Sequence, residues 1–257
     1  MKKQICMVPQ LSGLGGMVSF QAKFIQGLQA RQIPYSFDLS DPENSAILVI
    51  GGTRHLLALW RAKRKNVPII QRLNGMNWMH RVEKTPPRDF FKSESNNRLL
   101  AFIRRHLADK IIYQSEFSQA WWDRVYQPTN LPSRMVYNGV DTKTFAPKGP
   151  EKPPAGHDRI LLVEGHLSGA YSRGLETAVR LIHALKINHG RNVELMVVGD
   201  VSADLMAYCH ALSPNAWITW QGVVPQEEIP GLNRGAHLLF SADLNAACPN
   251  SVIEALA

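Results

Sequence analysis

The sequence predicts an α/β protein made of two consecutive doubly wound domains, and three observations predict it. Short apolar runs of strand length alternate with helical stretches along all 257 residues, the signature of parallel sheets covered by helices. A glycine-containing turn follows the first strand of each half. Between the halves lies KGPEKPPAGH (148–157), rich in proline and poor in apolar residues, which reads as an exposed, semi-rigid linker. The expected organisation is therefore a domain at 1–147, a linker at 148–157 and a domain at 158–257.

The first strand is QICMVPQ (4–10), followed by LSGLGG (11–16) and a helix with Val18, Ala22, Ile25 and Leu28 on one face. Strand, glycine turn and helix in that order offer free backbone N–H groups to a phosphate. As a dinucleotide fingerprint the turn is defective, because Gly13-x-Gly15 wants a third small residue where Val18 stands. Only Asp38, in YSFDLS, speaks for a nicotinamide dinucleotide and an oxidoreductase. Strands are expected at 46–52, 67–73 and 110–115, with helices at about 54–65, 94–108 and 117–126. Trp121, Trp122 and Tyr126 read as packing side chains. RMVYNGVDTKTFAP (134–147) reads as a strand, an Asn-Gly turn and a proline stop.

The second half repeats the pattern. Strand RILLVEG (159–165) leads through HLSGAYSRG to a helix at about 174–189 that places Leu175, Val179, Ile182 and Leu185 on one face and stops at Gly190. Strands at 193–200, 217–223 and 236–241 alternate with helices near 203–212, 226–233 and 250–257. Two Rossmann-like domains result. Four strands make a thin doubly wound sheet and the chain stops inside a helix, so the second domain is expected to be incomplete.

Composition narrows the class. An apolar share of 45% with 19% charged residues suits a water-soluble globular protein, and no apolar run reaches the ~18–20 residues of a membrane span. The N-terminus carries no convincing signal peptide, and Cys6, Cys209 and Cys248 lack metal-ligand spacing, so they read as reduced thiols of a cytoplasmic protein. Charge is uneven: residues 1–150 hold 22 Lys and Arg against 10 Asp and Glu, while 151–257 hold 7 against 11. A basic first half invites nucleic acid, anionic membrane or phosphorylated substrates. Its densest run, RAKRK (61–65), has no aromatic interleaving and a helical pattern, so it reads equally as a solvated helix face or a membrane patch, and no nucleic-acid partner is expected.

The stretch richest in site chemistry is SADLNAACPNSVIEALA (241–257). Pro249, Asn250 and Ser251 stand at a helix start, and Glu254 lies three residues past Ser251 on the same side. In isolation Ser251-x-x-Glu254 is a capping box. In company with the rest of the chain it reads as a phosphate seat with a carboxylate beside it for hydroxyl groups.

Four segments, in order, resemble the GT-B glycosyltransferases of family 4: LSGLGG, VYNGVDTKTFAP, EGHLSGAYSRG and CPNSVIEALA. VVGD and QGVVPQEEIPGLNRGAHLLFS fit the same pattern, so the resemblance covers the chain apart from a missing C-terminal end. It implies a GT-B-like fold, with two Rossmann-like doubly wound domains facing a cleft, and a hexosyltransferase-type enzyme acting with retention. It places Glu254 as the second glutamate of an E-x7-E motif that binds the donor ribose, while the first falls on Ala246 and is absent. It sets Asn250 and Ser251 beside the donor's sugar and phosphate. The family's basic pair falls on His166 and Arg173, and a guanidinium can hold a diphosphate bidentately. A histidine near the transferred sugar in many relatives corresponds to Asn74, with His80, read as a surface histidine, the nearest substitute.

The resemblance further implies a metal-independent transfer from a nucleotide-diphosphate sugar to a hydroxyl, by front-face substitution. No separate cofactor is needed, and no Asp-x-Asp occurs to hold a metal. Arg173 and the N–H groups of Gly15 and Gly16 would stabilise the departing phosphate, with Asn74 near the sugar. Acceptors of three kinds fit: glycan, lipid-linked or small-molecule, in cell-envelope polysaccharide synthesis, with peripheral contact at the inner face of an anionic membrane. The competing reading, motivated by Ala246, Asn74 and His166, is a nucleotide-sugar-binding protein or fragment that has lost catalysis.

Overall fold

The computed structural model describes residues 4–82, 84–168, 170–213, 217–243 and 247–257. The chain forms two compact units that divide between Asn138 and Gly139. Each is an α/β unit with a parallel sheet.

In the first unit the elements run β1 (Gln4–Val8), α1 (Gly16–Ala30), β2 (Tyr35–Ser36), β3 (Asn44–Ile50), α2 (Leu56–Arg64) and β4 (Ile69–Leu73). They continue with α3 (Met79–Val82), α4 (Pro87–Phe102), β5 (Lys110–Tyr113), α5 (Glu116–Tyr126) and β6 (Ser133–Met135). A π-helical turn, Ile103–Leu107, prolongs α4. Six parallel strands lie in the order β2-β1-β3-β4-β5-β6. Because β1 and β3 are covered on both faces, alternate residues enter different cores. Cys6, Val8, Ile47 and Val49 join Leu59 of α2 and Ile103, whereas Met7, Leu48 and Ile50 join Leu28 of α1.

Helix α4 departs from its expected start at 94. It begins at Pro87, whose fixed φ and missing N–H suit the first helical position. The Asn-Gly turn expected at 138–139 does not form either. Asn138 instead accepts a hydrogen bond from the Arg72 guanidinium at 2.7 Å.

The second unit holds β7 (Asp158–His166), α6 (Ala170–His189), β8 (Val193–Asp200), α7 (Ala203–Leu212) and β9 (Ile218–Gly222). After a short 3-10 turn come α8 (Ile229–Arg234), the two-residue β10 (Leu238–Leu239) and α9 (Asn250–Leu256). Strand order is β10-β7-β8-β9, all parallel. Leu162, Leu195 and Val197 face Leu175, Val179 and Ile182 of α6, as the helical periodicity predicts. On the other face Leu161, Met196 and Val198 pack with Ile229 and with Phe145.

Phe145 explains why the units divide nine residues before the expected domain end. Asp141 accepts from the Lys143 N–H at 3.0 Å and the Thr144 hydroxyl at 2.7 Å, and the turn so formed delivers Phe145 into the second core. The expected linker is tied to the same unit, since Arg234 bonds Glu151 at 2.8 Å. Among the described residues no helix is long and apolar enough to cross a membrane.

Candidate functional site

In open parallel sheets, ligands bind beyond the C-terminal strand ends where the strand order reverses. The first unit reverses between β1 and β3, and the second between β7 and β10. Gly15 and Gly16 follow β1 at the first of these places, and His166 and Arg173 follow β7 at the second.

In the first unit, the loop after β1 is pinned from behind by Gln21 of α1. Its carboxamide accepts from Leu11 N–H at 2.8 Å and donates to the Pro9 carbonyl at 2.9 Å. Gly15 caps α1 at φ +121°, a conformation that L side chains rarely adopt, and nothing approaches the place where its Cβ would stand. Gly15 and Gly16 are both exposed, so the start of this fifteen-residue helix is open to an anion. Asp38, the one feature favouring a dinucleotide, is occupied locally. It accepts from the Ser40 N–H at 2.8 Å and hydroxyl at 2.7 Å.

Asn74 sits just past the end of β4. Its backbone carbonyl accepts from the Trp122 indole at 2.7 Å and the Ser118 hydroxyl at 2.8 Å, and its side-chain oxygen accepts from Arg72 at 3.5 Å. Trp122 is thus a packing residue that also fixes Asn74. Trp121, expected to be packing too, is half-buried and meets the rings of Trp78 and Phe117 edge-on or tilted. Arg72 was not anticipated. It is 2% exposed, lies over the Phe20 ring at 3.7 Å and joins Asn74 to Asn138. The sequence held a signal for it, a cation inside the apolar run VPIIQRL.

His80 is corrected by the structure. It is buried, and its Nε2 lies 2.8 Å from Glu94 Oε1, so it is no surface histidine and no free substitute for Asn74. Arg81 holds the other carboxylate oxygen at 2.9 Å. The Arg81 guanidinium, helped by His80, brings the Glu94 carboxyl down to about 2.

In the second unit, β7 ends at His166, which is exposed and faces Asp200 with Nδ1 3.1 Å from Oδ2. Arg173 lies exposed in the first turn of α6, next to Gly174. That glycine is required. A Cβ there would stand 2.1 Å from the Ala242 carbonyl oxygen, so α6 can approach the segment after β10 only because position 174 has no side chain. The two loops of the switch point are therefore in backbone contact, with Arg173 beside the junction.

Around that junction gather groups that sequence reasoning missed. The Tyr171 hydroxyl donates to Asp243 at 3.4 Å. Burial, and then the Asp243 charge, push the Glu164 carboxyl up to about 7. Burial followed by Asp243 and Glu164 also raises the Tyr171 phenol. Glu164 interrupts the apolar strand RILLVEG, which is a readable signal; Asp243 carried none.

Beyond the junction the chain enters α9. Pro249, not Ser251, precedes its first residue, so the capping-box reading of Ser251 and Glu254 does not hold. Ser251 and Asn250 are half-buried inside the helix, and Glu254 is buried. Ala246, where the resemblance would put a glutamate, lies outside the described residues.

No family model and no curated protein sequence matches the chain. Solved structures do. A sucrose-phosphate synthase from Thermosynechococcus elongatus matches with a TM-score of 0.64 at 15% identity, over 96% of this chain and 61% of that one. A glycosyltransferase from Rickettsia africae matches at 0.58 and 15%, over 91% and 71%. An α,α-trehalose-phosphate synthase (UDP-forming) from Burkholderia xenovorans, in complex with glucose-6-phosphate, matches at 0.55 and 12%, over 93% and 59%. The chain has the mixed α/β fold of the GT-B glycosyltransferases. It spans about three fifths of the length of the sucrose-phosphate synthase, 61%.

Proposed function

We propose that the chain is a glycosyltransferase of the nucleotide-sugar class that holds its donor at the β7/β10 switch of the second unit. The observation that carries this reading is the junction of α6 with the segment after β10, made possible by Gly174 and flanked by Arg173. The fold it shares with glycosyltransferases supports it.

In this reading Arg173 neutralises the donor's diphosphate, His166 lies at the end of the strand beside it, and Glu254, Asn250 and Ser251 face the ribose and sugar. Within the first unit, the open start of α1, where Gly15 and Gly16 offer N–H groups, is proposed as a separate phosphate seat. Glu164 suits an anionic ligand because burial keeps it largely protonated up to about pH 7. A neutral carboxyl there can donate a hydrogen bond without repelling a diphosphate. Transfer is proposed to proceed with retention and without a metal. The acceptor oxygen attacks on the face the diphosphate leaves, and the departing phosphate oxygen takes the proton. Arg173 then stabilises a charge that grows as the bond breaks.

Calorimetric titration with UDP, GDP and ADP tests this. One nucleotide should bind saturably, and Arg173→Ala should weaken it about tenfold, the loss of a charge-assisted hydrogen bond. A cooperative thermal melt with no nucleotide binding would contradict the reading.

A second reading, a nucleotide-sugar-binding protein without turnover, is favoured by one further observation. His80, the nearest substitute for Asn74 beside the transferred sugar, is held by Glu94 and is not free to move a proton, and the Asn74 carboxamide carries none. Incubation with the nucleotide-sugar whose nucleotide binds separates the two: release of free nucleotide supports the transferase, and saturable binding without release supports the second.

A further inference from the structure

The first half of α4 is built inside out. Over Pro87–Asn97 the buried positions are Glu94 and Asn97, while Phe90 and Phe91 face outward, Phe91 at 69% exposure. Val82, at the end of α3, is 59% exposed. Ordinary amphipathic helices place these types the other way round. The arrangement is firmly held. Glu94 receives His80 at 2.8 Å and Arg81 at 2.9 Å, and Asn97 accepts from Asn77 N–H at 3.0 Å and donates to its carbonyl at 2.7 Å. These polar contacts lock α3 and α4 together and leave the Phe91 ring outside, with the 38% exposed Phe90 resting edge-on against His80 at 5.2 Å.

Among the described residues, cations outnumber anions around the rings. Lys84, Arg88 and Lys92 are all exposed in the same stretch beside an exposed carboxylate, Asp89, and Arg88, Phe91, Lys92 and Ser95 follow the i, i+3, i+4, i+7 spacing of one helix face. The segment opens just beyond the C-terminal end of β4, on the side of the sheet where ligands of such folds are bound. Exposed aromatic and aliphatic side chains flanked by Lys and Arg match a surface that is apolar beneath and negatively charged on top.

We infer that Val82 and residues 84–92 form a docking element for an anionic lipid bilayer, in which Phe90, Phe91 and Val82 enter the interface and Lys84, Arg88 and Lys92 meet lipid phosphates. The inference stands on this patch alone and does not require a donor site in the second unit. A surface helix that exposes phenylalanine beside lysine gains in both respects on such a membrane. Burial rewards the rings, and each cation near an anionic surface adds attraction.

Co-sedimentation with vesicles tests it, using the whole chain, phosphatidylcholine vesicles and vesicles with about a third phosphatidylglycerol. Binding is expected to the anionic vesicles at ~0.1 M salt and to fall steeply at ~0.5 M. Val82→Ser with Phe91→Ser, and separately Lys84→Glu with Arg88→Glu and Lys92→Glu, should each weaken binding about tenfold or more with unchanged melting temperature. As a control for diffuse charge, Arg61→Glu with Arg64→Glu on α2 should change it by less than about threefold. No binding to anionic vesicles at low salt overturns the inference. So does equal loss from the α2 variant, which would mean attraction by the basic unit as a whole, or full binding by the variant with both Val82→Ser and Phe91→Ser. Should the patch be covered by a protein instead, the vesicle arm fails, with the same consequence.

Discussion

Two glutamates, one in each unit, are withdrawn from water and answer in opposite ways. Glu94 is gripped by Arg81 and His80, and its carboxyl falls to about 2. Glu164 has no cationic partner among the described residues; burial and the neighbouring Asp243 raise it to about 7. A buried carboxylate with its countercharge is a fastening, and here it fastens α3 to α4. One without a countercharge holds a proton instead, and places like that are where ligand chemistry tends to be found. The contrast separates what holds the first unit's loops from what the second unit offers to a ligand.

The largest effect is expected at the backbone junction that frames Glu164. Gly174→Ala sets a Cβ 2.1 Å from the Ala242 carbonyl, and neither backbone can yield cheaply. A loss of about 3 kcal/mol or more in the stability of the second unit is expected, with loss of nucleotide binding, measured by denaturant unfolding and calorimetry. Next in size is Glu94→Gln, which leaves Arg81 and His80 without their carboxylate. About 2–4 kcal/mol should be lost at pH 7. The pH dependence has a definite sign. A carboxyl lowered from 4.5 to about 2 on folding stabilises above 4.5, and that contribution drains away as pH falls to about 2. The variant should therefore lack the wild type's decline between those values.

Glu164→Gln should do the reverse. A carboxyl raised from 4.5 to about 7 favours the folded state while protonated, so wild-type stability falls as pH climbs through that window. The amide removes the slope, and the variant should be about 1–3 kcal/mol more stable than wild type at about pH 8 and nearly equal near pH 4. The smallest effect belongs to the first unit's open loop. Gly15→Ala meets no neighbour but must hold φ +121°, at a cost of about 1–2 kcal/mol in denaturant unfolding.

The strands were legible because β1, β3, β4, β7 and β8 are covered on both faces, which leaves near-continuous apolar runs. The two-residue β2 and β10 were not readable to their true lengths, since they lie at sheet edges with little to bury. The first half of α4 was invisible for a physical reason: a helix with Glu94 inside and Phe91 outside has no apolar stripe to detect. At the candidate site, Arg173 could be named from its motif, whereas the need for glycine at 174 shows only in the close approach to Ala242. Tyr171 and Asp243 could not, because they are 72 residues apart and only the β7/β10 pairing brings them together.

Whether the donor sits at the β7/β10 switch of the second unit can be read from hydrogen–deuterium exchange, with and without the nucleotide that binds in calorimetry. A donor held there should slow exchange chiefly in peptides covering 166–176 and 247–257. Protection confined to the first unit, with those peptides unchanged at saturating nucleotide, would contradict that placement.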